Sequence, residues 1–320
     1  MPRFDPDRRN PTISILTFLA SLLAGNRMPL EIRPLVDYAF KKVFGSPENG
    51  QALISFLNAV LLRRRHIVDI TLLNPFNEKE YDIDKLSILD IKAKDSSGAF
   101  FTIEMQLALH EELTKRWVYY ACKQVSSQLE EGDDYGELCP VYSICIVDDS
   151  LWEDSEKLHH RFELADIDSG RVLTNTIEIH TLELGKYNRK ESDLLNATPL
   201  ECWLYWMVHA QEYESNELLS LFPENAFQQA THALETIKMK STDLQRYHER
   251  EQALRDLGWQ VRAARREGIK IGTIGKVQVL QELLGDQVAS STELESRTLE
   301  ELERVSQELQ QKLRNRSQSS

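Results

Sequence analysis

The run "VYSICIV", Val141 to Val147, constrains this chain more than any other stretch. Seven consecutive residues with no charge and no alternation read as a strand buried on both faces. The other elements are arranged around it. Leu35–Phe44 carries Val36, Ala39, Phe40, Val43 and Phe44 at helical spacing, and Gly45 ends it. Ser46-Pro47 opens a second helix, with serine as N-cap and proline at the first position. Its apolar stripe is Leu53, Phe56, Leu57, Val60 and Leu61, and Arg63-Arg64-Arg65 closes it where cations suit a helix end. Ile67–Leu73 alternates as a strand. A further helix is expected from Thr114 to about Glu131. Two more strands, Arg161–Asp168 and Arg171–Leu184, meet at Ser169-Gly170 as a hairpin.

A second hairpin lies in "KLSILDIKAKDSSGAFFTIEMQ", Lys85 to Gln106. Asp95-Ser96-Ser97-Gly98-Ala99 fits a three-residue loop with Gly98 in the left-handed conformation. Centring the pairing on Ser97 sets Asp95 against Ala99, Lys92 against Thr102 and Asp90 against Glu104. Because side chains alternate along a strand, Thr102, Glu104 and Gln106 share one face while Phe101, Ile103 and Met105 pack the other. Two carboxylates side by side repel. Either this face is solvated, or a cation compensates them, and oxygen ligands of this kind suit Mg²⁺ or Mn²⁺. On the helix that follows, Arg116, Tyr120 and Gln124 stand at i, i+4 and i+8 on one face, beside a core stripe of Trp117, Ala121, Val125 and Leu129. That polar stripe is either a solvated face or a contact for a phosphate.

The hairpin, with its Asp and then Glu-x-Gln at Glu104-Met105-Gln106, resembles the PD-(D/E)XK nuclease superfamily. The Gln variant is similar to the Rpn family of recombination-promoting nucleases and transposases. "VDYAFKKVFG" (36–45), "FLNAVL" (56–61), "LDIKA" (89–93), "RWVYYA" (116–121), "GDDYGELCPVYSICIVD" (132–148), "IEIHTLEL" (177–184) and "REGIKIG" (266–272) extend the likeness over roughly residues 30–275. The resemblance implies an α/β, restriction-endonuclease-like core, a small mixed sheet flanked by helices. It implies a Mg²⁺-dependent DNA endonuclease (or one using Mn²⁺) that hydrolyses phosphodiester bonds and promotes DNA recombination. Asp90 and Glu104 would hold the metal with the backbone carbonyl of Met105, and Asp37 would be a third acid. Asp37 also reads as a carboxylate favoured by a helix N-terminus. Gln106 sits where most of the superfamily has lysine, so it orients water without bringing charge. Lys92 or Lys85 would supply the missing cation. Lys85, Arg116, Tyr120 and Gln124 are the DNA-contact candidates. No nucleotide cofactor is implied.

From Pro199 onward the chain reads as helical. The last 45 residues read as a helical hairpin, with Leu280, Leu283 and Leu284 on one arm and Leu299, Leu302, Val305, Leu309 and Leu313 on the other. These leucines need a surface, either the main body or a second copy, and a homodimer is the expectation. The organisation expected is an extension at 1–27, a nuclease core at 28–190, a helical region at 191–270 and a helical hairpin with tail at 271–320. Residues 1–27 carry an apolar run, Ile13–Ala24, too short to span a bilayer. It reads as a non-native or disordered extension before Met28, or else as a signal peptide. A cytoplasmic protein with no membrane partner follows from the first of these. The four cysteines form no CxxC and read as reduced thiols. His159, His160 and His180 show no partner pattern, and Trp203 and Trp206 read as packing. The net charge of −13 disfavours a passive, tight nucleic-acid binder and leaves open an enzyme that meets phosphates through a metal. A non-catalytic DNA- or protein-binding protein on a nuclease scaffold is the alternative. A third reading makes the helical C-terminal half an assembly module.

Overall fold

All seven residues of β4 (Val141–Val147) are buried. In the computed structural model, which describes residues 28–61, 66–76, 89–106 and 112–318, β4 lies inside a six-stranded sheet. The other strands are β1 (Thr71–Leu72), β2 (Leu89–Lys94), β3 (Phe100–Gln106), β5 (His159–Ala165) and β6 (Val172–Glu183). Their order is β1-β2-β3-β4-β6-β5. β4 pairs in parallel with β3 and β6, and the remaining pairings are antiparallel. Of the strand expected at Ile67–Leu73, only Thr71–Leu72 forms. It adds to the edge of the β2–β3 hairpin.

The hairpin has the register that its loop predicts: Asp90 faces Glu104, and Lys92 faces Thr102. Asp95 builds the turn. Its Oδ1 accepts from the backbone N–H of Ser97 and of Ala99, each at 3.0 Å. Gly98 has φ of 87°. A Cβ there would lie 2.7 Å from Cys139 Sγ, so both the backbone and the neighbour require glycine.

One face of the sheet is closed by α3 (Leu113–Ser126), which sits in the connection between β3 and β4. Its Leu113, Trp117 and Ala121 bury against Cys145, Val147 and Ile179. Alternation turns Tyr142, Ile144 and Ile146 of β4 to the other side, and these are buried too. Helices α1 (Asp37–Phe44), α2 (Gly50–Leu61), α4 (Pro199–His209), α5 (Ser215–Leu221) and α6 (Asn225–Met239) complete this part of the chain. Phe44, Phe56, Trp203 and Phe227 form one aromatic cluster among them, with Trp203 stacked on Phe227 at 4.1 Å. Trp203 and Trp206 are fully buried packing residues, as expected. α4 opens on a capping box: Thr198 accepts from Glu201 N–H, and Glu201 accepts from Thr198 N–H.

The chain divides into two units, residues up to Glu251 and residues from Gln252. Helix α7 (Ser241–Leu284) runs from one into the other, so the break expected near 270 falls within a helix. The second unit has its own core. Ile274, Val277 and Leu280 of α7 pack against Leu294 of α8 (Ser291–Glu295) and against Leu302 and Leu309 of α9 (Leu299–Gln318). The leucines of this hairpin therefore find their cover within the unit. Leu283, expected on the seam, is exposed.

The first turns of α7 are tied into the first unit by charge. Arg250 Nη2 pairs with Asp37 Oδ2, and both side chains are only 2% exposed. Lys42 Nζ meets Asp243 Oδ2 at 3.2 Å, and Tyr247 Oη accepts from Arg33 N–H at 2.9 Å. Burying a pair of ions adds little net stability, but removing one partner is expensive. Arg250→Met should therefore destabilise the protein by about 3–5 kcal/mol. Urea unfolding should show a smaller loss in the Asp37→Asn/Arg250→Met double variant, where no carboxylate is stranded.

Candidate functional site

Glu104 stands in the middle of β3, between Asp90 of β2 and Cys145 of β4. Sequence reading left this face either wet or metal-bound. Glu104 itself is largely covered, at 5% exposed, and Thr102 beside it is also buried, while Lys92 and Gln106 on the same face keep partial exposure. The cause is α3. Its apolar stripe closes over β4 and β6, and the stripe beside it comes down against the hairpin. Arg116 Nη2 donates to Gln106 Oε1 at 2.7 Å and lies 3.8 Å from Glu104 Oε2. Tyr120, Lys123 and Gln124 line a pocket together with Lys92, Thr102 and Glu104. Arg116, Tyr120 and Gln124 thus face the hairpin, as their helical spacing allows. Lys92 shares the pocket with Glu104. Lys123 stands at i+3 from Tyr120 and i+7 from Arg116, so helical spacing puts it on the same face, and the i, i+4, i+8 count passed over it.

The electrostatics of this face are local and strong. A unit charge pair at 3.8 Å is worth roughly 4 kcal/mol at an effective dielectric near 20. Burying each ion costs several kcal/mol, so the Glu104–Arg116 contact is near break-even as a stability device. Burial pushes the Cys145 thiol well above its ordinary range, and the charge of Glu104 adds to this, while Arg116 opposes it. Cys145 is consequently a neutral thiol and a poor nucleophile.

Among the described residues, no group of three or more His, Cys, Asp or Glu side chains is gathered to hold a metal. The oxygen donors that the two strands bring to the position of Glu104 are carboxylates and a backbone carbonyl. Asp90 faces it across the ladder, and Met105 follows it on β3 with its side chain buried on the opposite face. Carboxylate and carbonyl oxygens fit a hard divalent cation. Asp37 is engaged elsewhere: its carboxylate takes Arg250 and the N–H of Tyr38. Lys85 and Arg63-Arg64-Arg65 lie outside the described residues.

A mixed sheet in which an antiparallel hairpin leads into parallel strands, flanked by helices, with an Asp–Glu pair on the hairpin, is the PD-(D/E)XK nuclease architecture. The chain belongs to the PD-(D/E)XK nuclease family transposases, whose family model matches residues 34–264. No curated protein and no solved structure matches the chain.

The histidines that showed no partner pattern do have partners. His159 Nε2 lies 2.8 Å from His180 Nδ1, and His180 Nε2 lies 2.7 Å from Glu178 Oε1. Arg161 Nε is 3.0 Å from the same carboxylate oxygen. The His159–His180 and Arg161–Glu178 contacts cross from β5 to β6 and leave no local spacing in the sequence, while Glu178 and His180 stand two apart on β6. Burial holds His159 down at about 4, helped by the neighbouring His180, Lys157 and His160 and opposed by Glu178. The folded state thus keeps His159 neutral where an unfolded chain takes up a proton near 6.5. The unfolded state binds more protons in that window, so this contribution to stability is lost as pH falls from 6.5 towards 4. Between pH 7.5 and 5, the denaturation midpoint of the wild type should fall more steeply than that of His159→Gln. Parallel curves would show that His159 is not the group responsible.

Proposed function

We propose that this protein is a metal-dependent DNA endonuclease that hydrolyses phosphodiester bonds and serves DNA recombination. One observation carries the reading: a buried carboxylate, Glu104, opposite Asp90, in a pocket rimmed by cationic and amide side chains. A carboxylate kept out of water is costly unless something charged answers it. Asp90, Glu104 and the Met105 carbonyl would hold Mg²⁺ or Mn²⁺. When bound, the ion would polarise the phosphate and lower the pKa of a water. Gln106 orients the water whose oxygen bonds to phosphorus as the ester oxygen leaves. Lys92, Arg116, Tyr120 and Gln124, with Lys85, meet the DNA backbone. The net charge of −13 leaves little general attraction for a polyanion, so in this reading the grip is local. Affinity should therefore fall only shallowly with salt, in proportion to the few phosphates contacted. In this reading Asp37 ties α1 to α7 and does not serve the metal, because Arg250 already answers its charge.

The alternative, a non-catalytic DNA- or protein-binding protein, draws support from the neutral Gln106 and the acidic surface. The setting we propose is the cytoplasm. No described helix is long and apolar enough to cross a membrane. A homodimer remains the proposed state for cutting both strands. It now rests on the need for two sites, since the leucines that suggested it are covered within their own unit.

A Mg²⁺-dependent nicking assay on supercoiled plasmid separates these readings. Asp90→Ala and Glu104→Ala should each reduce cleavage by at least about 100-fold, with melting temperatures near that of the wild type, and chelation should abolish it. Wild-type rates in either variant would remove these residues from the site. No cleavage by the wild type in Mg²⁺ or Mn²⁺ would favour the binding protein. Light scattering at micromolar concentration should give twice the chain mass; a monomer would confine the enzyme to cutting one strand per encounter.

A further inference from the structure

We infer that Arg116 supplies the positive charge of the reaction centre and fixes the orientation of Gln106, beyond any contact it makes with the DNA backbone. This inference rests on the nuclease reading above. Hydrolysis of a phosphodiester builds negative charge on the phosphoryl oxygens, and sites for this chemistry answer it with preorganised cations and donors. The polar residues of β3 here are neutral or acidic: Thr102, Glu104 and Gln106. A cation has to reach the site from another element.

Arg116 reaches it from α3. Its Nη2 touches Gln106 Oε1 at 2.7 Å and stands 3.8 Å from Glu104 Oε2. The first contact also settles which way the amide points. A guanidinium only donates hydrogen bonds, so the atom facing it must be the amide oxygen. Gln106 then turns its Nε2 hydrogens away from Arg116 as donors. One group that both donates and carries charge is thereby split in two. The amide of Gln106 donates, and Arg116 carries the charge while holding the amide in register. Arginine suits the task because its planar fork is rigid and its charge persists at any working pH. The side chain is only 25% exposed, so much of its stem is covered. Lys92 and Lys123 line the same pocket.

The test is single-turnover cleavage at saturating DNA, with DNA affinity measured separately. Arg116→Met keeps the buried stem and removes the charge. The cleavage rate should fall by about 100-fold or more, with a smaller change in DNA affinity. Adding Gln106→Lys to Arg116→Met puts an ammonium at the amide's own position and should recover most of the lost rate. Lys92→Met should cost less than Arg116→Met. Without DNA, Arg116→Met should bind Mn²⁺ more tightly than the wild type, because a competing cation beside Glu104 is gone. An unchanged single-turnover rate with weakened DNA binding would reduce Arg116 to a backbone contact and overturn the inference, as would a double variant no faster than Arg116→Met. A wild type that neither binds Mn²⁺ nor cuts would instead bring down the nuclease reading beneath it.

Discussion

Two-sided burial of β4 is the constraint on which the rest of this molecule depends. A strand with no polar face cannot sit at a wet surface, so the sheet must be covered above and below. α3 provides one cover, and its position follows from the chain: it lies in the connection that brings β3 parallel to β4. Once Trp117 and Ala121 are seated on Cys145, Val147 and Ile179, the neighbouring stripe of α3 has to descend on the hairpin. Glu104 is buried as a consequence of the same packing that completes the core. The candidate site and the hydrophobic core are therefore not independent features.

Charge then has to be settled locally. The chain is acidic overall, yet Glu104 is met by Arg116 and shares its pocket with Lys92 and Lys123. At the distances involved, the attraction between Glu104 and Arg116 is about equal to the cost of drying the two ions. Such a contact adds little net stability, and in the proposed reading it serves the site that Glu104 and Gln106 line. The Asp37–Arg250 pair has a different character. Both partners are almost completely buried, and with Lys42–Asp243 they fasten the start of α7 to α1.

The second unit shows how amphipathic leucines can be satisfied within their own segment. Short helices are marginal until their apolar faces are covered. Here the end of α7, the single turn of α8 and the stripe of α9 cover one another. Most of the leucine pattern is thus answered within the unit, with Leu283 left exposed.

Much of this was legible in the amino-acid order, and for a definable reason. The seven apolar residues of β4, the Gly98 turn, the Asp90–Glu104 register and the helical stripe of Arg116, Tyr120 and Gln124 all follow from short-range rules: strand period two, helix period 3.6, and the few turns that join two strands. What short-range rules cannot supply is lateral neighbourhood. That Arg250 would answer Asp37, that His159 would meet His180, and that Arg116 would reach Gln106 from a different element are results of packing. The residues joined are 213, 21 and 10 positions apart. Sequence alone determined which face of each element was polar. Only the tertiary structure decided which of those polar faces stayed in water and which was closed over, because burial depends on what the rest of the chain lays on top.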